Sequence, residues 1–166
     1  IYYFLCAMDK TDFRQLCGRF ATGITVLTTT HNGQHHGITI NSFTSVSIVP
    51  PLVLFCINKE ARFNAPLIAN TQLTINILSD KQQDISNRFA NPSLSPEERF
   101  KDLALKSEHE YPVFVDSLAC LETKLHVTHD GGDHWIYIAE VSKGSVFGGS
   151  PLLYNAGSYA SVAPNS

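Results

Sequence analysis

With 166 residues, 43% of them hydrophobic and 16% charged, the chain is long enough for one domain with a real core and too apolar for disorder. Its formal charge of −3 is spread along the sequence without a Lys/Arg run, which argues against nucleic acid or an anionic membrane surface as a partner. No apolar run approaches the roughly 18 residues that a membrane-crossing helix needs.

The opening IYYFLCAM is apolar but short and has no basic flank, so it does not read as a signal peptide. Met8 is a candidate natural start, which makes residues 1–8 an N-terminal extension and 9–160 a single domain. Four cysteines, Cys6, Cys17, Cys56 and Cys120, form no CxxC pair and have apolar neighbours. They read as buried thiols of a reducing compartment, the cytoplasm.

Thr11 or Asp12 can cap a first helix that places Phe13, Leu16, Cys17 and Phe20 on one face, with Gly23 ending it. Ile24–Thr30 alternates as a strand. Asn32-Gly33 then predicts a tight hairpin, because both central residues of a type I′ turn need positive φ. The return strand, GITINSFTSVS (37–47), alternates apolar residues with Thr, Asn and Ser and carries no charge. Pro50-Pro51 stops it, and the continuous apolar run Leu52–Ile57 suits a central strand.

Arg62–Asn70 predicts a short helix that Pro66 weakens. Leu73–Leu78 alternates again. Ser79 or Asp80 caps a second helix with Ile85, Phe89 and Ala90 inward, and Ser95-Pro96-Glu97 is a third helix start. Leu118–Val127 and Trp135–Val141 are strands joined through HDGGDH, and Ser145–Tyr159 supplies one or two closing strands. Six or seven strands in hairpins, with two or three peripheral helices, predict a mainly β, antiparallel, barrel-like domain. The absence of βαβ alternation and of GxGxxG excludes the Rossmann route to a nucleotide.

Seven histidines raise the question of a metal, but His35 and His36 point to opposite faces of a strand and no Cys or carboxylate stands at zinc-ligand spacing. Polar strand and turn histidines are the better account, and no metal site is expected. There is no GxSxG elbow and no base oriented toward a serine. The polar face of 37–47 is more informative: Thr39, Asn41, Ser42, Thr44, Ser45 and Ser47 are neutral hydrogen-bonding groups suited to a phosphate or the edge of a flat heterocycle. Asn58, Lys59 and Arg62 add polar and cationic groups at the end of the next strand. A Thr/Ser-rich strand with no ligand accounts for the same composition equally well.

The order of motifs narrows this choice. RFATGITVLTT, GITINSFTSVSIVPPLVLFCINK, LTINILSDKQQDISNRFA, GDHWIYIAEV and PLLYNAGSY, spread from Phe13 to Tyr159, resemble the short-chain flavin reductase family, the NAD(P)H:flavin oxidoreductases that serve two-component monooxygenases. The resemblance implies an antiparallel split β-barrel binding FMN or FAD, with NADH or NADPH as hydride donor to flavin N5. It also implies a homodimer and an oxygenase component that receives the reduced flavin.

By the same resemblance, Thr39, Asn41 and Ser42 line the isoalloxazine edge. Ser45, Val46 and Ser47, with Asn58, Lys59, Arg62 and Phe63, address the ribityl and phosphate portion. Asn76, Arg88 and Phe89 close the site. Gly132, Asp133 and His134 form the nicotinamide turn, with His134 orienting the nicotinamide rather than giving a proton. Arg19, Phe20, Tyr154 and Tyr159 border the cleft. Two positions depart from the family pattern: Val49 stands where an acidic residue often precedes the double proline, and Ala61 where a small hydroxyl residue is frequent. A flavin-binding module without turnover is the alternative that the resemblance leaves.

Overall fold

The computed structural model describes residues 8–67 and 71–162. Asp9 caps the first helix, α1 (Lys10–Cys17), its carboxylate accepting the Thr11 N–H at 2.7 Å. The helix stops at Gly18, short of the expected Gly23, and its predicted inward face is exposed. Phe13 and Leu16 are 58% and 61% exposed, Phe20 beyond the helix is 80% exposed, and Cys17 is exposed as well. Cys17 is therefore no buried thiol, whereas Cys120 is; Cys6 lies outside the described residues.

Strands β1 (Thr22–Gly23), β2 (Thr25–His31) and β3 (Gln34–Ile40) follow. Asn32 and Gly33 both take positive φ, at 51° and 76°, as the predicted turn requires. The polar segment 37–47 is not one strand. It breaks at residues 41–43, and its second half is β4 (Thr44–Ser47). β5 (Leu52–Asn58), β6 (Gln72–Ile77), β7 (Ala119–Gly131) and β8 (His134–Val146) complete a seven-stranded antiparallel sheet in the order β3-β2-β6-β7-β8-β5-β4. A small second sheet pairs β1 with β9 (Leu153–Asn155) and β9 with β10 (Ser158–Ala160).

Strand order forces the shape. β3 and β4 are the two edges of the large sheet, yet only residues 41–43 join them. Six inter-strand gaps in a flat sheet would separate the edges by about 29 Å. Four Cα steps reach at most about 14 Å. The sheet must curl until its edges face one another, giving an open antiparallel barrel that is mainly β with helices outside it.

Alternation along the strands builds two cores. Leu27, Phe55, Ile57, Leu73, Ile75 and Tyr137 point into the barrel. On the outside of β2 and β6, Val26 and Ile24 pack with Phe89 and Phe114. Phe89 belongs to α2 (Gln83–Ala90), which a 3₁₀ turn at Asp80–Gln82 precedes and Ser79 caps; Ala90 is exposed. The third helix, α3 (Pro96–Phe100), has the predicted Ser95 cap and Pro at its start. Only Arg62–Asn64 of the expected helix after β5 is helical, as a 3₁₀ turn, and residues 68–70 lie outside the described residues. Gly37 lets α2 approach β3: a Cβ there would lie 2.5 Å from the Phe89 ring.

Asn76 is fully buried and joins these layers. Its amide nitrogen donates to Val26 O at 3.2 Å, Thr28 Oγ1 at 3.1 Å and Pro112 O at 3.3 Å, and its oxygen accepts the Phe114 N–H at 3.1 Å. Asn76→Leu strands those buried backbone groups and should lower unfolding free energy by about 3 kcal/mol in a urea titration. A loss below about 1 kcal/mol would contradict that account.

Candidate active site at the barrel seam

Where the curled edges meet, they leave a cleft of about 500 Å³. One wall is the run Ile38–Ser42 at the end of β3, an edge strand that pairs only with β2 and leaves backbone groups on its other side unpaired by the sheet. The facing wall is Cys56 to Asn58 of β5 with His134 and Ile136 of β8. Cys56 pairs with Ile136 and Asn58 with His134, so these four side chains share one face of the sheet. Gly131 closes the corner, where a Cβ would come within 2.8 Å of Ile136 Cγ1.

Ser42 fastens the seam. Its hydroxyl donates to Cys56 O at 2.8 Å and accepts the Cys56 N–H at 3.0 Å, replacing two ladder bonds with one side chain. Thr39 likewise donates to Ser86 O at 2.7 Å, which anchors α2 to β3. Both residues line the cleft, but their hydroxyls already have partners. Among the described residues Asn41 has no side-chain hydrogen bond within the chain, so its amide is a free neutral donor and acceptor at the cleft.

The β7–β8 turn is pinned to β5. Lys59 N donates to Asp133 O at 3.0 Å, and Lys59 Nζ pairs with Asp130 at 2.5 Å while lying 4.5 Å from the centre of the Trp135 ring. That hydrogen bond from Lys59 holds the Asp130 carboxyl below its ordinary value. Gly132, at φ 83°, donates its N–H to Asp130 Oδ1 at 3.0 Å. Asp133 Oδ1 lies 2.7 Å from His134 Nδ1, and this hydrogen bond depresses the Asp133 pKa. A carboxylate only accepts, so Nδ1 carries the proton and Nε2 is the acceptor of the neutral ring. Burial pushes the Cys56 thiol up, so it stays protonated and is no nucleophile.

The remaining sequence candidates scatter. Ser45, Val46 and Ser47 sit on edge strand β4 and do not line the cleft. Arg62 and Phe63 line a neighbouring pocket. Asn76 and Phe89 are core residues: the outer face of β6 that carries Asn76 is covered by residues 112–114, and Phe89 turns from α2 into the cluster with Val26 and Phe114. Arg88 donates to Lys101 O at 2.9 Å. Tyr159 donates toward Ser86 Oγ and Asn87 Oδ1, at 2.9 and 2.7 Å, and with Tyr154 borders a smaller hollow that shares Thr39 and Asn41 with the cleft. Arg19 and Phe20 are exposed beside α1. Sequence reasoning missed the apolar lining, Ile38, Ile40 and Ile57, which pack with the barrel core, and Ile136 on the other face of β8, since nothing in an apolar residue's local pattern separates a ligand wall from a core.

Apolar walls, a rim of neutral donors and acceptors and a histidine hydrogen-bonded to Asp133 suit a flat, amphipathic heterocycle, held at the seam of an open antiparallel barrel. The comparisons agree. The family model described as the flavin reductase like domain matches residues 17–163, and the chain belongs to that family. It is 34% identical to the reductase component of a 4-nitrophenol 4-monooxygenase/4-nitrocatechol 2-monooxygenase of Rhodococcus opacus over 95% of this chain and 83% of the relative. It is 36% identical to HsaB, the reductase subunit of a flavin-dependent monooxygenase of Mycobacterium tuberculosis, over 95% of this chain and 84% of that subunit. Among solved structures, the NADH:FAD oxidoreductase SgcE6 of Streptomyces globisporus superposes with a TM-score of 0.87 at 33% identity, covering 95% of both chains. A structure of SgcE6 with NAD and FAD fragments gives a TM-score of 0.86.

Ser42→Ala unpairs both backbone groups of Cys56 at the seam. It should cost about 1–2 kcal/mol of stability by chemical denaturation. An unchanged denaturation midpoint would mean that the hydroxyl does not hold the edges together.

Proposed function

We propose that the chain reduces FMN or FAD with NADH or NADPH and releases reduced flavin to an oxygenase component. The observation that carries this reading is the seam cleft, whose lining joins the neutral β3 edge, four isoleucines and the Asp133-bonded His134. Family membership and the reductase names of the relatives support it. When both are bound, the nicotinamide supplies a hydride and flavin N5 accepts it, which requires no acid–base side chain.

The chain's own residues bind and orient. Asn41 and the free edge of β3 offer hydrogen bonds to the polar rim of a flavin, and the isoleucines exclude water from its face. Neutral donors stabilise negative charge that develops on reduction without attracting bulk water. His134, held by Asp133, positions the nicotinamide. Arg62 belongs to the phosphate side of the reading and Tyr159 to the far border. Ser45, Val46 and Ser47 take a part only where a larger ligand extends along β4.

The homodimer is part of this proposal. Ile48 and Val49, 90% and 89% exposed, follow the exposed Val46 of β4, and Phe13 and Leu16 of α1 are also exposed. A second copy covering both explains why these residues are not polar. The cytoplasm fits the reduced thiols, and among the described residues no helix is long and apolar enough to cross a membrane.

Mixing the chain with NADH or NADPH and excess FMN or FAD should give loss of the near-ultraviolet nicotinamide absorbance over many turnovers. Flavin binding without turnover would leave a carrier instead. His134→Ala should raise KM for the nicotinamide about tenfold, the loss of one hydrogen-bonded anchor, with flavin Kd nearly unchanged. Equal losses in both constants would remove His134 from that role. Sedimentation should give twice the 18.3 kDa chain mass, and Val49→Asp should shift it toward the monomer; a monomeric wild type would contradict the dimer.

A further inference from the structure

A second pocket, of about 280 Å³, lies farther along the free edge of β3, between the β2–β3 hairpin, the 3₁₀ turn after β5 and the start of α3. Arg62 and Arg99 both line it, and among the described residues neither forms an ion pair. Arg62 Nη2 donates to the carbonyls of Pro92 and Leu94. Arg99 donates Nη1 to Gly37 O and Nη2 to Asn91 O, each at 2.6 Å, while its Nε is buried without any acceptor. A guanidinium carries about five N–H donors. Four neutral carbonyls therefore leave more than half of the donors and both full charges unanswered.

The surroundings do not neutralise them. Glu97, on the same helix as Arg99, accepts a hydrogen bond from Gln34 and pairs with neither arginine. Burial and the neighbouring Arg62 both push the Arg99 pKa down, the mark of two like charges sharing a poorly solvated space. His36, also in the wall, is held down by burial and by His31, so it adds hydrogen-bonding capacity and not a third charge near neutral pH. Phe63 and Leu94 provide apolar walls.

This pocket adjoins the seam cleft along the chain. Gly37 and Arg62 line the pocket, and their chain neighbours Ile38 and Ala61 line the cleft. A molecule with a ring system in the cleft and phosphates at one end can occupy both, and arginine forks match phosphate oxygens bidentately. We propose that the Arg62–Arg99 pocket takes the phosphate-bearing adenylate half of a flavin dinucleotide whose isoalloxazine half lies in the seam cleft, and so favours FAD over FMN. The inference rests on the reading of the cleft as a flavin site.

Calorimetric titration with FAD, FMN and ADP tests it on the wild type, Arg99→Gln and Arg99→Lys. The wild type should bind FAD at least tenfold more tightly than FMN, and ADP should compete with FAD far more strongly than with FMN. Arg99→Gln should weaken FAD about tenfold and FMN less than twofold, and Arg99→Lys should retain most of the FAD affinity. Equal affinity of the wild type for the two flavins, or a loss in Arg99→Gln that falls on both alike, overturns the proposal while leaving the cleft a flavin site. A loss confined to KM for NADH assigns the pocket to the nicotinamide dinucleotide and also overturns it. Binding of neither flavin sinks the reading on which it rests. Because Arg99 bridges Gly37 and Asn91 and its removal can unfold α3, the ADP competition on the unaltered chain decides alone if Arg99→Gln does not fold: no competition with FAD ends the proposal.

Discussion

The three-residue link between β3 and β4 is the constraint from which the rest of the architecture follows. A segment that serves as both edges of a seven-stranded sheet leaves the sheet no flat arrangement. Curling creates an interior for Phe55, Ile57 and Tyr137, and it creates a seam with an unpaired strand edge on one side. Ser42 sets how far the seam stays open, because its hydroxyl bonds both backbone groups of Cys56 and draws the edges together at one point. Above that point the cleft remains, lined by backbone edge, Asn41 and the end of the β7–β8 hairpin.

Electrostatics divide the surface around the seam into two kinds of place. At the hairpin, charges are answered locally, Lys59 by Asp130 and the Asp133 carboxylate by the His134 Nδ1–H, so the cleft presents mainly neutral groups and one aligned imidazole. Such an arrangement fits chemistry in which the ligands carry the electrons and the protein orients them. Beside α3 the opposite holds, since Arg62 and Arg99 face carbonyl oxygens alone. The two regions meet along β3, and a ligand long enough to span them would have its ring and its phosphates each in a matching environment.

Local chemistry made some of this legible in the sequence. Asn32-Gly33, Ser95-Pro96 and the Gly132-Asp133 turn each impose a backbone geometry that few other residues tolerate, and all three appear where their residue types demand. The break at residues 41–43 was not legible, because the apolar–polar alternation continues across it and only the pairing of distant strands shows that the segment changes edges. Asn76 misled for a related reason. Alternation in LTINIL gives it a polar face, while the covering of that face by residues 112–114 is a tertiary fact. The exposed side of α1 marks a further boundary: amphipathicity says that a face is to be covered, but not by which chain. The family resemblance supplied the ligand class, and the structure supplied which polar side chains still have a hydrogen bond to give.

Amide chemical-shift mapping on flavin addition tests the central claim, that the seam is where the ring binds. The largest perturbations should fall on residues 38–42, 56–58 and 131–136, the two walls of the cleft and the hairpin that closes it. Perturbations centred instead on residues 79–81, 115–117 and 147–150, which line a separate hollow beside the start of α2, would contradict it.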